Sequence, residues 1–486
     1  MTDTLAILGG TPVRSKPFTV EPMVDEDEER MVMEAIRERR FSRYIGSTTD
    51  DIEQTLRMTS AEAANLDDEW HFLGGRGVRA FAAEFATAFE VAYAIPISSA
   101  TTGLGVALAA CGVGPGDEVI VPAISFTASA SAVLLFNSIP VFVDVDPMSF
   151  CIDPEAIEQA VTPRTKAIMP VHLAGNLADM DAVLSLARRH DLAVIEDAAQ
   201  AIGATWGERK AGTLGQAGVF SFQESKNIMT GEGGMIVTHD AEVARRCRLI
   251  GNHGEVVFDD ESRAADLANI VGFNFRMPEL CAAVGRAQLR KLDLVNAWRT
   301  RNAEILRDEL RDLPGIDLPP RQSASNGPAR DLPHMLVALH DADAMGIDRQ
   351  TFVAAVRAEG VPMGIGYVRP MYANPTFLTR VAYGAQGCPW TCRRDDAAMP
   401  TPPHYEHGQC PQAESLLDRR FLWFYHIAHA STEDDMRDVG RAVRKVVAQR
   451  NTLKDLSADH VDDLGERGQG RIGNGLGAGK GHKRKR

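Results

Sequence analysis

The chain is 486 residues long, 44% hydrophobic, and carries a formal charge of −14. Its length and apolar content suffice for a sizeable core in two or more structural units. The spread of negative charge argues against nucleic acid as the main partner. No run of about 18 apolar residues appears, and residues 1–40 lack a charged-then-apolar leader. Seven cysteines, an odd count in a large chain, point to reduced thiols rather than a disulfide framework. The expectation is a soluble, non-secreted, cytoplasmic protein with no membrane partner.

Residues 5–14, L-A-I-L-G-G-T-P-V-R, read as a short apolar arm ending in turn residues. Residues 25–37 carry helical periodicity with acids in the first turn, as a helix N-terminus prefers. Residues 46–75, beginning G-S-T-T-D-D, are polar and mixed and read as an inserted surface segment. From residues 78–89 onward, helical lengths alternate with short β-branched runs at 117–122, 141–146, 167–172, 192–197, 218–222 and 235–238. Such spacing predicts βα repeats and a mostly parallel sheet. Many of these runs end in a polar residue, where open α/β sheets place ligands.

A long helix leads away after residues 284–293, followed by a Pro- and Ser-rich loop at 319–328 and a smaller α+β pattern to about Gln449. Residues 451–486, rich in Gly, Asp and Arg, have almost no apolar spacing and read as a disordered tail. The expected division is an arm over 1–30, a large domain over 31–295, a small C-terminal domain over 296–450, and the tail.

Three groups fall at strand ends. E-D-A-A-Q (196–200) places an aspartate where it can hold a positive ring nitrogen, although Asp is also an ordinary helix cap. S-S-A-T-T-G (98–103) opens an apolar helix whose N–H groups and dipole suit a phosphate, although a plain Ser/Thr cap explains it equally. S-F-Q-E-S-K-N-I-M-T-G-E-G-G (221–234) sets Lys226 just before a glycine run, although most lysines are simply exposed. Together they describe one chemistry: an aldehyde cofactor with a phosphate and a pyridine ring. The lysine amine forms a Schiff base, and a carboxylate keeps the ring nitrogen protonated so that the ring is an electron sink.

The chain resembles the DegT/DnrJ/EryC1/StrS family of pyridoxal-phosphate-dependent sugar aminotransferases, a branch of the fold-type I enzymes. The motifs that carry the resemblance include G-G-T-P-V-R (9–14), S-S-A-T-T-G-L (98–104), P-A-I-S-F-T-A-S-A (122–130), V-I-E-D-A-A-Q-A-I-G-A (194–204), F-S-F-Q-E-S-K-N (220–227), G-E-G-G (231–234) and G-F-N-F-R-M (272–277). The resemblance implies an α/β fold with a mostly parallel seven-stranded sheet in a large domain and a smaller α+β domain. It implies that Lys226 is the Schiff-base lysine and proton shuttle, and that Asp197 partners the pyridinium nitrogen. Gln200 would lie by the ring and its phenolic oxygen, and Phe126 would stack on the ring. Ala100, Thr101 and Ser221 would bind the phosphate. Asn274 would reach that phosphate from a neighbouring subunit, making the site the property of a homodimer. The implied reaction moves an amino group from glutamate or glutamine to a sugar or cyclitol ketone, in antibiotic or amino-sugar biosynthesis. Relatives with histidine in place of the lysine remove a hydroxyl instead.

The sequence departs from the family near its C-terminus, where F-L-W-F-Y-H-I (421–427) replaces a proline-ending strand. Y-V-R-P-M-Y (367–372) reads either as pocket lining or as core. His172 reads as a cofactor neighbour or as a buried structural histidine. Cys388, Cys392, His404, His407 and Cys410 form a rival zinc pattern, but their spacing matches no standard finger. A pyridoxal-phosphate lyase such as a sugar dehydratase and a non-catalytic sugar-nucleotide-binding regulator remain as alternatives. A Rossmann dehydrogenase fits less well, because no G-x-G-x-x-G follows a first strand.

Overall fold

Seven strands make the central sheet: β1 (Tyr93–Ile97), β2 (Glu118–Pro122), β3 (Ile139–Val143), β4 (Thr165–Ile168), β5 (Ala193–Asp197), β6 (Ala217–Ser221) and β7 (Gly234–Thr238). In this computed structural model the described residues are 4–19, 21–46, 52–254, 271–320, 323–324, 327–384, 387–391, 403–454 and 456. The spatial order is β1-β7-β6-β5-β4-β2-β3. Strands β2 to β6 pair in parallel, and β7 runs antiparallel to both its neighbours. The expected mostly parallel α/β sheet is therefore what forms.

Six of the seven strands match the apolar runs, with small shifts. Residues 144–146 and 169–172 lie beyond the strands themselves, at the rim where the sheet meets its loops. The seventh, β1, carries Pro96, and β3 carries Pro140; both are edge strands, where a missing N–H costs no ladder bond.

The helix Ala100–Ala110 is buried on nearly every face and packs against β6 and β7. That is why its sequence is apolar all round rather than striped.

A second, antiparallel sheet comprises β8 (Ile316–Asp317), β9 (Leu336–His340), β10 (Gly364–Ile365) and β11 (Phe421–Phe424) in the order β8-β9-β11-β10. It shares a core with the helices Leu292–Leu310, Arg349–Ala358 and Glu433–Ala448. The arm joins that core: Leu5 and Ile7 are buried in it. Glu359 accepts from the N–H groups of Ala6 (2.8 Å) and Val13 (3.0 Å), and Arg14 pairs with Asp435 at 2.5 Å. The expected tail beyond residue 456 lies outside the described residues.

The segment read as a surface insertion is exposed at residues 61–62, 64–65 and 67–70, and Leu56, Ser60 and Phe72, which are buried, anchor it to the body of the protein. The Ser60 hydroxyl accepts from the Ala94 N–H at 2.8 Å, and Arg248 donates to the Leu56 and Met58 carbonyls, both at 2.7 Å. These anchors to β1 and a neighbouring helix are long-range contacts, which composition does not reveal. The expectation of reduced thiols is corrected at one position: among the described cysteines five are free, but Cys388 is disulfide-bonded. Its backbone forms an isolated antiparallel bridge with Tyr383.

Candidate active site

The C-terminal ends of β5 and β6 lie side by side, because Asp197 pairs with Val219 in register. That places Asp197 next to the segment running from Ser221 to Lys226. The segment folds back on itself: Phe222 N–H donates to the Gly233 carbonyl at 3.0 Å, Glu224 to Gly231 at 2.9 Å, and Lys226 to Gln223 at 2.8 Å. The glycine run therefore closes a loop with Lys226 at its turn.

Lys226 is half-buried, and dehydration of its amine pushes its pKa down to about 8. The Arg299 charge acts in the same direction, and the Asp197 charge opposes it. Asp197 is buried, which raises its carboxyl above the usual range. Opposing that rise, the Ser129 hydroxyl donates to its Oδ2 at 2.7 Å and the Ala199 N–H to its Oδ1 at 3.2 Å. Two opposite charges thus face one another in a dry setting, and each stabilises the ionised form of the other.

Ser99 caps the helix Ala100–Ala110, its Oγ accepting from Thr102 N–H at 3.2 Å. The first-turn N–H groups of Ala100 and Thr101 have no partner within the helix and sit at its positive end. Ser221 lies opposite Gly234 in the β6–β7 ladder, and a Cβ on Gly234 would come within 2.7 Å of the Ala100 nitrogen. Ser221 and this helix end therefore share one corner, a ready anion site. The glycine is what permits the close approach.

Gln200 is buried at the same rim; its Oε1 accepts from Ala174 N–H at 2.8 Å and its Nε2 donates to Tyr367 Oη at 2.9 Å. Burial pushes the Tyr367 phenol up to about 12. Phe126 follows β2 and stays 50% exposed, an unusual state for a large apolar ring. Asn274 is exposed, accepts from Arg276 Nε at 2.9 Å, and bridges Asn252.

Other candidates resolve differently. His172 is fully buried; its Nδ1 accepts from Ala178 N–H at 3.2 Å, so Nε2 carries the proton toward Glu196 at 3.1 Å. That is the structural histidine. Tyr372 is core, with its hydroxyl on Glu414, whereas Tyr367 faces the site. Of the zinc pattern, Cys392 lies outside the described residues and Cys388 is in a disulfide. His404 pairs with Glu406 at 3.3 Å and His407 with Glu414 at 3.2 Å.

Sequence reading missed five residues around Lys226: Ser129, Asn296, Arg299, His334 and Tyr425. Ser129 and Tyr425 lie inside quoted motifs, Tyr425 within F-L-W-F-Y-H-I, while Asn296, Arg299 and His334 had no signal. All but Ser129 come from the far half of the chain and arrive by tertiary packing.

The donor set fits pyridoxal phosphate: an amine whose pKa is lowered to about 8, a neighbouring carboxylate, an anion corner and an open aromatic face. With a mostly parallel seven-stranded sheet beside a small antiparallel one, this is a pyridoxal-phosphate-dependent aminotransferase of fold type I. The chain belongs to the DegT/DnrJ/EryC1/StrS aminotransferase family, whose profile matches residues 53–418. It is 36% identical over 464 residues to an L-glutamine:2-deoxy-scyllo-inosose aminotransferase of Streptomyces kanamyceticus, covering 92% of this chain and 98% of that one. It is 44% identical over 305 residues to the L-glutamine:scyllo-inosose aminotransferase of Streptomyces griseus, covering 61% of this chain and 70% of that one. An aminotransferase structure from Psychrobacter cryohalolentis superposes with TM-score 0.71 at 28% identity, covering 89% of this chain and 99% of that one.

Proposed function

We propose that the chain transfers an amino group from L-glutamine to a keto-cyclitol in antibiotic biosynthesis, as a cytoplasmic homodimer. The observation that carries the reading is the Lys226 amine, brought to about 8 beside the buried Asp197. Relatives named for glutamine and for inosose ketones support the donor and the substrate class. Among the described residues no helix is long and apolar enough to cross a membrane, which accords with the location.

When bound, the cofactor supplies an aldehyde to carry the amino group and a ring that accepts electrons. Lys226 would hold it through its amine and, when free, would carry a proton between the substrate carbon and the cofactor. Asp197, kept in place by Ser129, would pair with the ring nitrogen. Ala100, Thr101 and Ser221 would bind the phosphate, Phe126 would shield the ring from water, and Gln200 would hold the ring edge. Asn274 would contribute to the phosphate site of a second copy of the chain. The proposed division remains an arm over 1–30, a large domain over 31–295 and a small domain over 296–450.

The test is an absorption spectrum of the full chain with pyridoxal phosphate, before and after borohydride, beside Lys226→Ala. The expected result is a visible band that borohydride fixes onto Lys226 and that L-glutamine bleaches in the presence of no other donor. A wild-type chain without the band, at excess cofactor, refutes the reading. A band unmoved by every amino donor points to a lyase instead.

A further inference from the structure

The two residues that flank Lys226 are each tied to a part of the chain remote in sequence. Before it, the Ser225 carbonyl accepts from the hydroxyl of Tyr425, the residue after β11 of the small sheet. After it, the buried Asn227 donates from Nδ2 to Asn296 Oδ1 at 2.9 Å, and Asn296 Nδ2 donates in turn to the Ile202 carbonyl at 3.0 Å. Asn296 lies on the helix Leu292–Leu310, which shares the small sheet's core.

Tyr425 is itself held in place. The Arg299 guanidinium lies 5.8 Å from its ring centroid, and the His334 ring meets it edge-on at 5.4 Å. Arg299 Nη1 donates to the His334 carbonyl at 2.8 Å, and the His334 N–H donates to the Ala174 carbonyl at 2.9 Å. Ala174 is the residue whose N–H is taken by Gln200.

We propose that Tyr425 and Asn296 are positioning residues for Lys226, clamping its backbone from both sides so that docking of the small sheet sets the reach and the dryness of the lysine amine. Neither residue touches the reacting atoms; both act through Ser225 and Asn227. The inference rests on the reading of Lys226 as the reactive lysine.

The electrostatics agree with the geometry. The charged and titratable groups around Lys226 are Asp197 from β5, Arg299 from the long helix and His334 from the segment before β9. Arg299 and burial lower the lysine pKa, Asp197 raises it, and His334 is pushed well below its usual value, first by burial and then by the Lys226 and Arg299 charges. A loosened clamp admits water to the amine and removes part of the largest of these effects, so its pKa climbs back toward 10.5.

The experiment is competitive acetylation of the full chain with acetic anhydride across pH, with the Lys226 peptide quantified by mass spectrometry. Wild type, Tyr425→Phe and Asn296→Ser are compared, each checked for folding by circular dichroism. Tyr425→Phe keeps the ring over Arg299 and removes only the hydroxyl. The expected result is an upward move of the Lys226 midpoint by about one pH unit, which is roughly tenfold slower acetylation near neutral pH. Other lysines keep their profiles. Unchanged midpoints in both folded variants overturn the proposal, and Asn296→Ser decides it alone if Tyr425→Phe does not fold.

The same samples are treated with pyridoxal phosphate and borohydride. Capture at Lys226 in the variants, with a shifted midpoint, supports the clamp. A wild type that captures no cofactor at Lys226 overturns the proposed function, while the acetylation midpoints still decide the clamp independently.

Discussion

Glu196, the residue before Asp197, offers a sharp perturbation because its carboxylate is completely buried and its oxygens are fully engaged. Oε1 accepts from the N–H groups of Leu214 (2.6 Å) and Gly215 (2.7 Å); Oε2 accepts from Gly212 N–H at 2.8 Å and faces His172 Nε2 at 3.1 Å. In Glu196→Gln the amide oxygen can keep the first pair, but the amide NH₂ then confronts two donors. His172 cannot relieve the clash by moving its proton, since its Nδ1 is already taken by Ala178 N–H. Two buried donors lose their acceptor, at about 1–3 kcal/mol each. Flipping the amide merely orphans the other pair. The expected loss is therefore about 2–6 kcal/mol, read as a lower urea midpoint at unchanged slope. Because Glu196 holds residues 212–215 and the histidine that precedes the rim, cofactor affinity falls as well. A Glu196→Gln chain within about 1 kcal/mol of wild type would refute the reasoning, since an uncompensated buried donor cannot be that cheap.

Two further outcomes follow from buried groups. Burial and the Arg349 charge push His340 down to about 4 from 6.5. Above pH 6.5 it is neutral both folded and unfolded; below that, only the unfolded chain takes up the proton. Stability is thus lost as pH falls from 6.5 to 4, by up to about 3 kcal/mol from this group, and His340→Phe should flatten the difference between urea midpoints at pH 7.5 and 4.5. At the anion corner, Gly234→Ala drives a Cβ to 2.7 Å from the Ala100 nitrogen; the expected result is an increase of at least about tenfold in the pyridoxal phosphate Kd, about 1.4 kcal/mol, measured by equilibrium titration of the visible band.

Much of the large sheet is written in the chain itself. Runs such as L-A-V-I-E-D and G-V-F-S-F are β-branched or aromatic, four to six residues long, and end in polar residues, because strands buried on both faces tolerate nothing else until they reach the rim. Asp197, Ser221 and Lys226 were legible for the same reason: each is a polar residue at or just beyond a strand end, where the sheet opens. The cap of the helix Ala100–Ala110 was legible too, in the Ser/Thr run that opens it, since capping is settled within four residues.

What the chain could not declare is anything that depends on a partner far along it. Y-A-I-P-I became β1 only because its position at the sheet edge makes Pro96 harmless. The anchoring of the segment 52–75 was not legible because it depends on Ser60 meeting β1 and on Arg248 of the helix Ala241–Gly251 reaching the Leu56 and Met58 carbonyls. Asn296, Arg299, His334 and Tyr425 carry no local mark of their role; each is an ordinary residue of a helix, loop or strand end until docking brings it to Lys226. Local pattern reports burial and capping, which short-range geometry determines. The surroundings of the lysine are long-range contacts, which only the packing of the small sheet on the large one decides.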